Sequence, residues 1–300
     1  MALTARKVFM DHKPPLVVSN SSLAISLGPF FHWITGFLLS LIPQHSPVIL
    51  LLLGSVLGCF TTLTIYLTLK SVSKNVAYIS SFLYASSFLV SLFDRRWWPL
   101  TFNSIFVVLS IFALTKILKG KHSYLLLLAT LSSFSFHADP SLSVIPISSL
   151  LVLVLLKIKL NFKQLIPPFL VVLFFLTPLA LFELRHPGKV TGPIVNLTSN
   201  PYSSKANKSS MSFPSALIKF TQNHAKGLFA KPTDSAELYL CHCPSFNLPL
   251  ASPIPEIIVV TSFVGLIAIT RQKKYQELAK ILLIFQTVFF LGMFVFNQLS

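Results

Sequence analysis

The sequence predicts an all-α membrane protein: a polytopic bundle of about eight crossing helices, with an interfacial helix and one long extracytoplasmic loop. Apolar residues make up 53% of the 300 residues and charged residues only 11%, whereas a soluble domain carries about 25% charged residues. The mean hydropathy is +0.74. Long apolar runs recur along the chain, separated by short basic segments. Together these features argue against a soluble enzyme, a disordered chain and a disulfide scaffold.

The crossings are predicted from the apolar runs, because a helix needs about 20 mainly apolar residues to cross the hydrocarbon core. We interpret eight runs as crossings: 47–69, 76–93, 99–118, 123–136, 141–156, 165–183, 255–270 and 278–297. The segment 29–42 is shorter, is followed by Pro43 and contains His32 and Trp33. This pattern favours a helix that lies along the membrane interface.

Basic residues on the short connections predict the orientation. Twelve of them lie on alternate connections: Lys70, Lys74, Lys116, Lys119, Lys121, Lys157, Lys159, Lys163, Arg271, Lys273, Lys274 and Lys280. The positive-inside rule assigns these connections to the cytoplasm. The opposite short loops hold only Arg95 and Arg96. The net charge of +16 therefore indicates orientation in a membrane, and we expect no nucleic acid partner.

By this alternation the chain divides into four regions. They are an extracytoplasmic segment with the interfacial helix (1–46), a bundle of six crossings (47–183), a long extracytoplasmic loop (184–254) and two C-terminal crossings (255–300). Residues 1–46 contain Arg6, Lys7 and Lys13 but no signal peptide that would carry them across the membrane. We therefore expect a further helix upstream and interpret the chain as part of a longer protein.

The helical pair 123–156 is too short for two full crossings. Its 34 residues span about 51 Å at about 1.5 Å per residue, against about 60 Å for two crossings. One prediction is that the turn His137-Ala138-Asp139-Pro140 lies inside the protein or lines a wet cavity. The alternative is that the turn reaches the interface, with Asp139 as a helix cap before Pro140.

Ionisable residues gather at the predicted outer ends of the helices, and we expect Asp94, His137 and Asp139 to converge on one recessed outer cavity with Arg95 or Arg96. Asp94, Arg95 and Arg96 share the first outer loop, and a guanidinium group binds phosphate oxygens in bidentate fashion. The segment after 165–183 contributes Glu183, Arg185 and His186, and Glu183 can simply pair with Arg185.

Several common sites are missing from the sequence. No Gly-rich phosphate loop, GxSxG motif or HExxH motif occurs. The three cysteines form no disulfide framework, and Cys241-His242-Cys243 lacks a second ligand pair for zinc. We therefore predict no metal and no certain cofactor, and we expect any donor substrate to reside in the membrane.

An ordered series of segments carries a family resemblance. The series is Leu27-Gly28-Pro29-Phe30-Phe31-His32-Trp33, Thr64-Ile65-Tyr66-Leu67, Tyr84-Ala85-Ser86, Arg95-Arg96-Trp97-Trp98-Pro99, Lys119-Gly120-Lys121 with Tyr124-Leu125, His137, and Leu181-Phe182-Glu183-Leu184-Arg185-His186. Over roughly residues 4–190 it resembles the glycosyltransferases of the GT-C fold that use polyprenyl-phosphate sugars. The match is to the bacterial relatives of the protein O-mannosyltransferases.

The resemblance implies transfer of a sugar from a polyprenyl phosphate to a lipid, glycan or protein acceptor. The reaction would take place at the outer face of a multi-pass protein of the bacterial cytoplasmic membrane. The candidate catalytic residues are Asp94, Asp139 and His137. The candidates for binding the lipid phosphate are Arg95, Arg96, Arg185 and His186.

One departure from the family pattern bears on activity. In this family an acidic residue lies immediately upstream of the segment that resembles Ala5-Arg6-Lys7, and here that residue has no counterpart. We therefore expect the 300-residue chain alone to be nearly inactive. Two alternatives remain: a non-catalytic membrane subunit, and a transporter or lipid flippase, which is expected to contain internal repeats.

Overall fold

The structure is a computed structural model that describes residues 15–17, 27–41, 48–71, 73–94, 97–99, 101–192, 215, 231–232, 246–247, 254–273 and 275–299. The helices in these ranges are α1 (Phe30–Ser40), α2 (Val48–Lys70), α3 (Lys74–Ser86), α4 (Phe88–Asp94), α5 (Thr101–Leu118), α6 (Tyr124–Ala138), α7 (Val144–Leu155), α8 (Phe162–Arg185), α9 (Ile254–Ile269) and α10 (Gln276–Leu299). A 3₁₀ turn, Pro140–Ser143, joins α6 to α7. Two short strands, β1 (Lys231–Pro232) and β2 (Phe246–Asn247), form an antiparallel pair.

The described residues form a helical bundle, as the sequence predicts. Three helices, α2, α5 and α8, are long and apolar enough to cross a membrane. Large apolar side chains on α2 and α8 face outward, among them Phe60, Leu67, Phe169 and Phe174. Such an apolar exterior is expected of a protein whose solvent is lipid.

The core of the bundle lies around α5. This helix packs against α2, α6, α7 and α10. The side chains that fill the space between them include Leu114, Ile117, Leu128, Ile145 and Ile281, all buried. Both faces of α5 are therefore covered by protein over much of its length.

The predicted crossing 76–93 is not one continuous helix. α3 ends at Ser86, Ser87 adopts an extended conformation, and α4 begins at Phe88. The Ser87 hydroxyl accepts a bond from the Val90 N–H at 3.5 Å, and the Ser91 hydroxyl donates to the Ala85 carbonyl at 3.3 Å. Serine hydroxyls thus replace helical hydrogen bonds at the break. The 13 residues of α3 rise about 20 Å, which is less than the hydrocarbon thickness of about 30 Å.

The turn between α6 and α7 lies inside the protein. The side chains of His137 and Ala138 are 1% and 0% exposed, and Leu142 in the 3₁₀ turn is also buried. This burial agrees with a turn inside the protein, and the depth of the turn in the membrane stays a prediction. Asp139 itself is half-buried.

Helix α1 packs on the hairpin and on the segment after α4. Phe31 stacks with Trp97, with ring centroids 6.2 Å apart. The Trp97 indole N–H donates to the Thr35 hydroxyl at 2.9 Å. On the opposite side Phe37 and Leu41 are exposed. This division into a packed face and an apolar exposed face suits a helix lying at a membrane interface.

Candidate functional site

Asp94 ends α4 and lies against the middle of α2. The Asp94 side chain contacts Gly58, which is ten residues from the start of α2 at Val48 and twelve from its end at Lys70. These separations correspond to about 15 Å and about 18 Å along the helix. If α2 crosses the membrane, Asp94 therefore lies near half depth. The sequence predicted an outer loop for this residue, whereas it ends a short helix that follows the break at Ser87; its level in the membrane stays a prediction.

Gly58 makes room for the Asp94 side chain. A Cβ atom at Gly58 would lie 2.8 Å from Asp94 Oδ2, 3.1 Å from its Cβ and 3.2 Å from its Cγ. The first of these distances is shorter than real contacts allow, so any larger residue at 58 displaces the carboxylate. Four residues earlier, Gly54 is buried on the same helix. Small residues at this spacing let neighbouring helices approach closely in membranes.

Tyr84 holds the Asp94 carboxylate. The Tyr84 hydroxyl donates to Asp94 Oδ2 at 3.1 Å and lies 3.5 Å from Oδ1. The same hydroxyl also interacts with Ser104 on α5 and Thr61 on α2. Asp94 is 8% exposed, and a carboxyl group buried to this extent is costly unless it is hydrogen-bonded. The Tyr84 hydroxyl supplies that bond and connects Asp94 to three helices.

A cavity of 220 Å³ opens beside the Asp94 carboxylate. Its lining is Ser55, Gly58, Cys59, Thr62, Tyr84, Ala85, Ser91 and Asp94. A water molecule takes about 30 Å³ of liquid volume, so the cavity admits several waters or a small polar group. It is smaller than the pockets of about 300–1,000 Å³ that enclose a whole ligand.

The cavity wall is rich in hydrogen-bond acceptors. The hydroxyls of Ser55, Thr62 and Ser91 all donate to backbone carbonyls, at 3.0, 3.0 and 3.3 Å. Their oxygens therefore have lone pairs to offer to the cavity, and the Asp94 carboxylate adds two more acceptor oxygens. Such a wall suits a ligand group that donates hydrogen bonds, as a sugar or alcohol hydroxyl does.

His137 belongs to a separate site. Its Nε2–H donates to the Phe175 carbonyl of α8 at 2.8 Å. The ring edge of Phe30 packs against the imidazole with centroids 4.7 Å apart, and the Gly28 backbone covers Nδ1. The described neighbours of His137 are Gly28 and residues of α1, α6 and α8, whereas those of Asp94 come from α2 and α3. The predicted convergence of His137 and Asp94 on one cavity is therefore not observed.

Asp139 follows α6 in an extended backbone conformation. Its carbonyl accepts a bond from the Leu142 N–H at 3.1 Å, which closes the 3₁₀ turn after Pro140. This arrangement gives Asp139 a backbone role in the hairpin. Its catalytic role stays a prediction.

Glu183 does not pair with Arg185. Its carboxylate accepts bonds from the N–H groups of Gly188 and Val190 at 2.8 and 2.7 Å and from the Thr191 hydroxyl at 2.6 Å. The carboxylate therefore closes the loop after α8. Arg185 is exposed, so the predicted ion pair is wrong.

Of the predicted phosphate-binding residues the structure describes Arg185 and His186, which are both exposed where α8 ends. His186 is exposed and packs against Phe182, with ring centroids 4.8 Å apart. Arg95, Arg96 and the Cys241-His242-Cys243 segment lie outside the described residues. Within the part of the chain that the structure describes, no cluster of three His, Cys, Asp or Glu side chains is able to hold a metal ion.

Sequence reasoning missed Gly58, as it missed the cavity hydroxyls of Ser55, Thr62 and Ser91. A signal was present, because Gly54 and Gly58 are four residues apart in an apolar run. That spacing indicates close approach by some other helix but does not identify Asp94 as the group that approaches.

Comparisons with protein-family models, with curated proteins and with solved structures find no match to this chain. Function is therefore inferred from the chemistry of the Asp94 site and from the resemblance described above.

Proposed function

We propose that this protein is a membrane glycosyltransferase that transfers a sugar from a polyprenyl phosphate to a hydroxyl acceptor, with Asp94 as the group that orients and deprotonates the acceptor. The observation that carries the proposal is a buried carboxylate beside a cavity walled by hydrogen-bond acceptors. Such a wall favours a ligand that arrives with hydroxyl donors. A positioned carboxylate is a common general base for a hydroxyl nucleophile.

In this mechanism the acceptor hydroxyl donates its hydrogen bond to Asp94. The acceptor oxygen attacks the anomeric carbon of the donor sugar, and the bond from that carbon to the phosphate oxygen breaks. The proton passes to Asp94, and the bond electrons leave with the lipid phosphate. Arg95 and Arg96 directly follow Asp94 in the chain and supply positive charge for the leaving phosphate.

Tyr84 prepares the Asp94 carboxylate for this role. Its hydroxyl donates to Oδ2 at 3.1 Å, whereas Oδ1 lies 3.5 Å from the same hydroxyl. Oδ1 is therefore the better placed of the two oxygens to accept the proton of an incoming hydroxyl. A general base must be held within hydrogen-bond reach of the proton that it takes, and Tyr84 supplies this hold. Asp139 and His137 are the alternatives for the catalytic role.

The proposal includes a topology of eight crossings in the bacterial cytoplasmic membrane. This arrangement would place Lys74, Lys121, Lys159 and Lys273 in the cytoplasm and 184–254 on the opposite side. Cysteine substitution at 121 and 205, followed by a membrane-impermeant thiol reagent on intact cells, tests the orientation. Labelling at 121 but not at 205 would refute it.

One observation favours a second function, a proton-coupled transporter. Asp94 contacts the middle of a long apolar helix, and ionisable residues at such a depth often carry protons through membranes. A non-catalytic subunit is the third possibility and predicts neither transfer nor flux.

Transfer assays on four purified proteins separate these functions. The proteins are the wild type, Asp94→Asn, Asp139→Asn and a control, Glu277→Gln. Glu277 is exposed on the first turn of α10 and is distant in sequence from the cavity residues. Each is made as the 300-residue chain and as a form extended by any codons in frame upstream of Met1. Release of labelled sugar from a panel of polyprenyl-phosphate sugars is measured with and without acceptors.

We expect Asp94→Asn to lower transfer by about 10²–10⁴-fold, the usual effect of losing a positioned acid–base group, and Glu277→Gln to retain wild-type transfer. Loss of transfer in Asp139→Asn alone would move the site to the hairpin. An Asp94-dependent proton flux into vesicles without any transfer would establish the transporter instead. If neither sugar transfer nor proton flux is detected, the non-catalytic subunit becomes the favoured function.

A further inference from the structure

The lysine-rich end of the bundle carries a cavity that the proposed reaction does not use. The cavity has a volume of 330 Å³ and lies between the first turn of α6 and the first turns of α8. Its lining is His122, Ser123, Leu125, Leu126, Gln164, Pro167 and Pro168. A second cavity, of 500 Å³, shares Ser123 and Leu126 with it and continues along α6 to Thr130.

A glycine turn brings the basic residues to this cavity. Gly120 follows α5 with φ +78°, a left-handed conformation that closes many helices. The Gly120 N–H bonds to the Ile117 carbonyl at 2.9 Å and the Lys121 N–H to the Lys116 carbonyl at 3.0 Å. The chain therefore reverses tightly, and His122 enters the cavity wall directly after Lys121.

Positive charge flanks the cavity on both walls. Lys121 immediately precedes His122 on one wall, and Lys163 immediately precedes Gln164 on the other, and both lysines are exposed. Lys119, Lys157 and Lys159 are exposed on the same connections. Among the described residues, no ion pair with a carboxylate neutralises Lys121 or Lys163.

Polar groups in the wall are also available to form hydrogen bonds with a ligand. His122 Nδ1 is buried and has no hydrogen-bond partner among the described atoms. Gln164 accepts the Asn161 N–H through Oε1 at 3.1 Å, which leaves its amide N–H groups as donors. Apart from Ser123 the rest of the wall is apolar, and Leu126 is 43% exposed. The cavity thus combines cationic and donor groups with an apolar side that continues along α6.

We propose that this cavity binds an acidic phospholipid. Its phosphate would lie between Lys121, Lys163 and His122, and one acyl chain would follow Leu126 along α6. A phosphate ester carries the negative charge that complements the flanking lysines and the acceptor oxygens that complement the donors in the wall. An acyl chain is the ligand part that suits an apolar wall in contact with the hydrocarbon core. Basic pockets between helices at a membrane surface bind lipid head groups in this way.

Two fluorescence variants test the proposal on the full 300-residue chain. Leu126→Trp places a reporter on the exposed apolar wall, and Leu67→Trp on the outer face of α2 is the matched control, since Leu67 is 47% exposed. Each protein is reconstituted into phosphatidylcholine vesicles that contain brominated phosphatidylglycerol or brominated phosphatidylcholine at the same mole fraction. Bromine quenches only a tryptophan that it contacts, and the quenching of the wild-type protein, which comes from Trp33, Trp97 and Trp98, is measured alongside and subtracted.

We expect phosphatidylglycerol to bind beside the reporter of the Leu126→Trp protein about tenfold or more tightly than phosphatidylcholine, because each basic residue near an acidic lipid contributes about fivefold. Lys121→Gln with Lys163→Gln, both made in the Leu126→Trp protein, should reduce this preference to within about twofold. Lys273→Gln, an exposed lysine on another connection, should leave it intact. The reporter of the Leu67→Trp protein should show no preference.

Three results would overturn the proposal. The first is equal quenching of the Leu126→Trp protein by the two brominated lipids. The second is a preference that survives the double lysine substitution or is lost equally in Lys273→Gln. The third is full competition by soluble glycerol phosphate at the concentration of the lipid, which would show a site for free phosphate esters. None of these results depends on whether Asp94 catalyses sugar transfer.

Discussion

Gly28→Ala is the substitution whose effect follows most directly from the structure. The Gly28 backbone lies on the imidazole of His137, and a Cβ atom there would overlap Nδ1 and Cε1 and lie 2.7 Å from Cγ. The ring is 1% exposed and therefore packed on all sides. We therefore expect alanine at 28 to drive the ring away from its position, which breaks the bond from Nε2 to the Phe175 carbonyl.

The expected cost combines two contributions. Overpacking a well-packed site costs about 1–3 kcal/mol. Loss of the His137 bond leaves a buried group without its partner, which costs about 1–3 kcal/mol. Because both effects come from one displaced ring, we expect a loss of about 2–5 kcal/mol in the free energy of unfolding. His137→Ala in the same protein should restore part of it, since the overlapping ring is gone.

The assay is a double-mutant cycle. The free energy of unfolding is measured in mixed micelles of mild detergent and dodecyl sulfate for the wild type, Gly28→Ala, His137→Ala and the double variant. Gly265→Ala is the matched control, because a Cβ atom at Gly265 meets nothing within 4 Å and alanine favours a helix by about 0.5–1 kcal/mol. Residues in contact couple by about 0.5–3 kcal/mol. Wild-type stability in Gly28→Ala, or strictly additive effects in the double variant, would refute the packing of Gly28 on His137.

The remaining predictions concern four other residues. Gly58→Ala should reduce Asp94-dependent transfer by up to about 10²-fold, since a small misplacement of a catalytic group has effects of that size, and Gly265→Ala should not. Tyr84→Phe should lower transfer by about 10-fold or more, because a hydrogen bond to a charged group contributes about 1.5–3 kcal/mol; unchanged transfer would contradict the role of Tyr84 in holding Asp94. Burial lowers the pKa of His32 on the interfacial helix, so the His32 imidazole binds a proton more readily in the unfolded chain. The free energy of unfolding should therefore decrease as pH falls through about 6.5. Unfolding measured across this range should show a weaker pH dependence in His32→Gln. Glu183→Gln should speed proteolysis after α8, because the carboxylate closes that loop; unchanged cleavage would argue against this role.

Local sequence signals were sufficient for most helix boundaries. The run 47–69 corresponds to Val48–Lys70, and 278–297 falls within Gln276–Leu299. Lys70 marks the end of the first helix and Glu277 the start of the second, and charged residues are costly to place in hydrocarbon. The length deficit of 123–156 also predicted a buried turn, because helix rise and membrane thickness are fixed quantities. Composition and run length therefore determined the class of protein and the position of most helices.

The candidate site could not be obtained in the same way. Asp94 was singled out as a candidate, but its predicted level followed from treating 76–93 as one helix. The break depends on two serine hydroxyls, Ser87 and Ser91, whose competition with helical hydrogen bonds is weak and is decided by the neighbours of α3 and α4. A seven-residue helix contributes little stability by itself, so tertiary packing decides where it lies.

The sequence by itself determined that this chain is apolar, helical and basic at alternate connections, because those properties are sums over local residues. Only the tertiary structure decided that Asp94 contacts Gly58 and Tyr84 and that His137 donates to the Phe175 carbonyl. It also decided that the Glu183 carboxylate accepts hydrogen bonds from the loop that follows α8. Asp94 and Gly58, like His137 and Phe175, lie more than thirty residues apart. Such contacts depend on which helix faces are neighbours and how closely they approach. Hydrophobic periodicity marks a buried face, but it carries no information about the residue that will cover it.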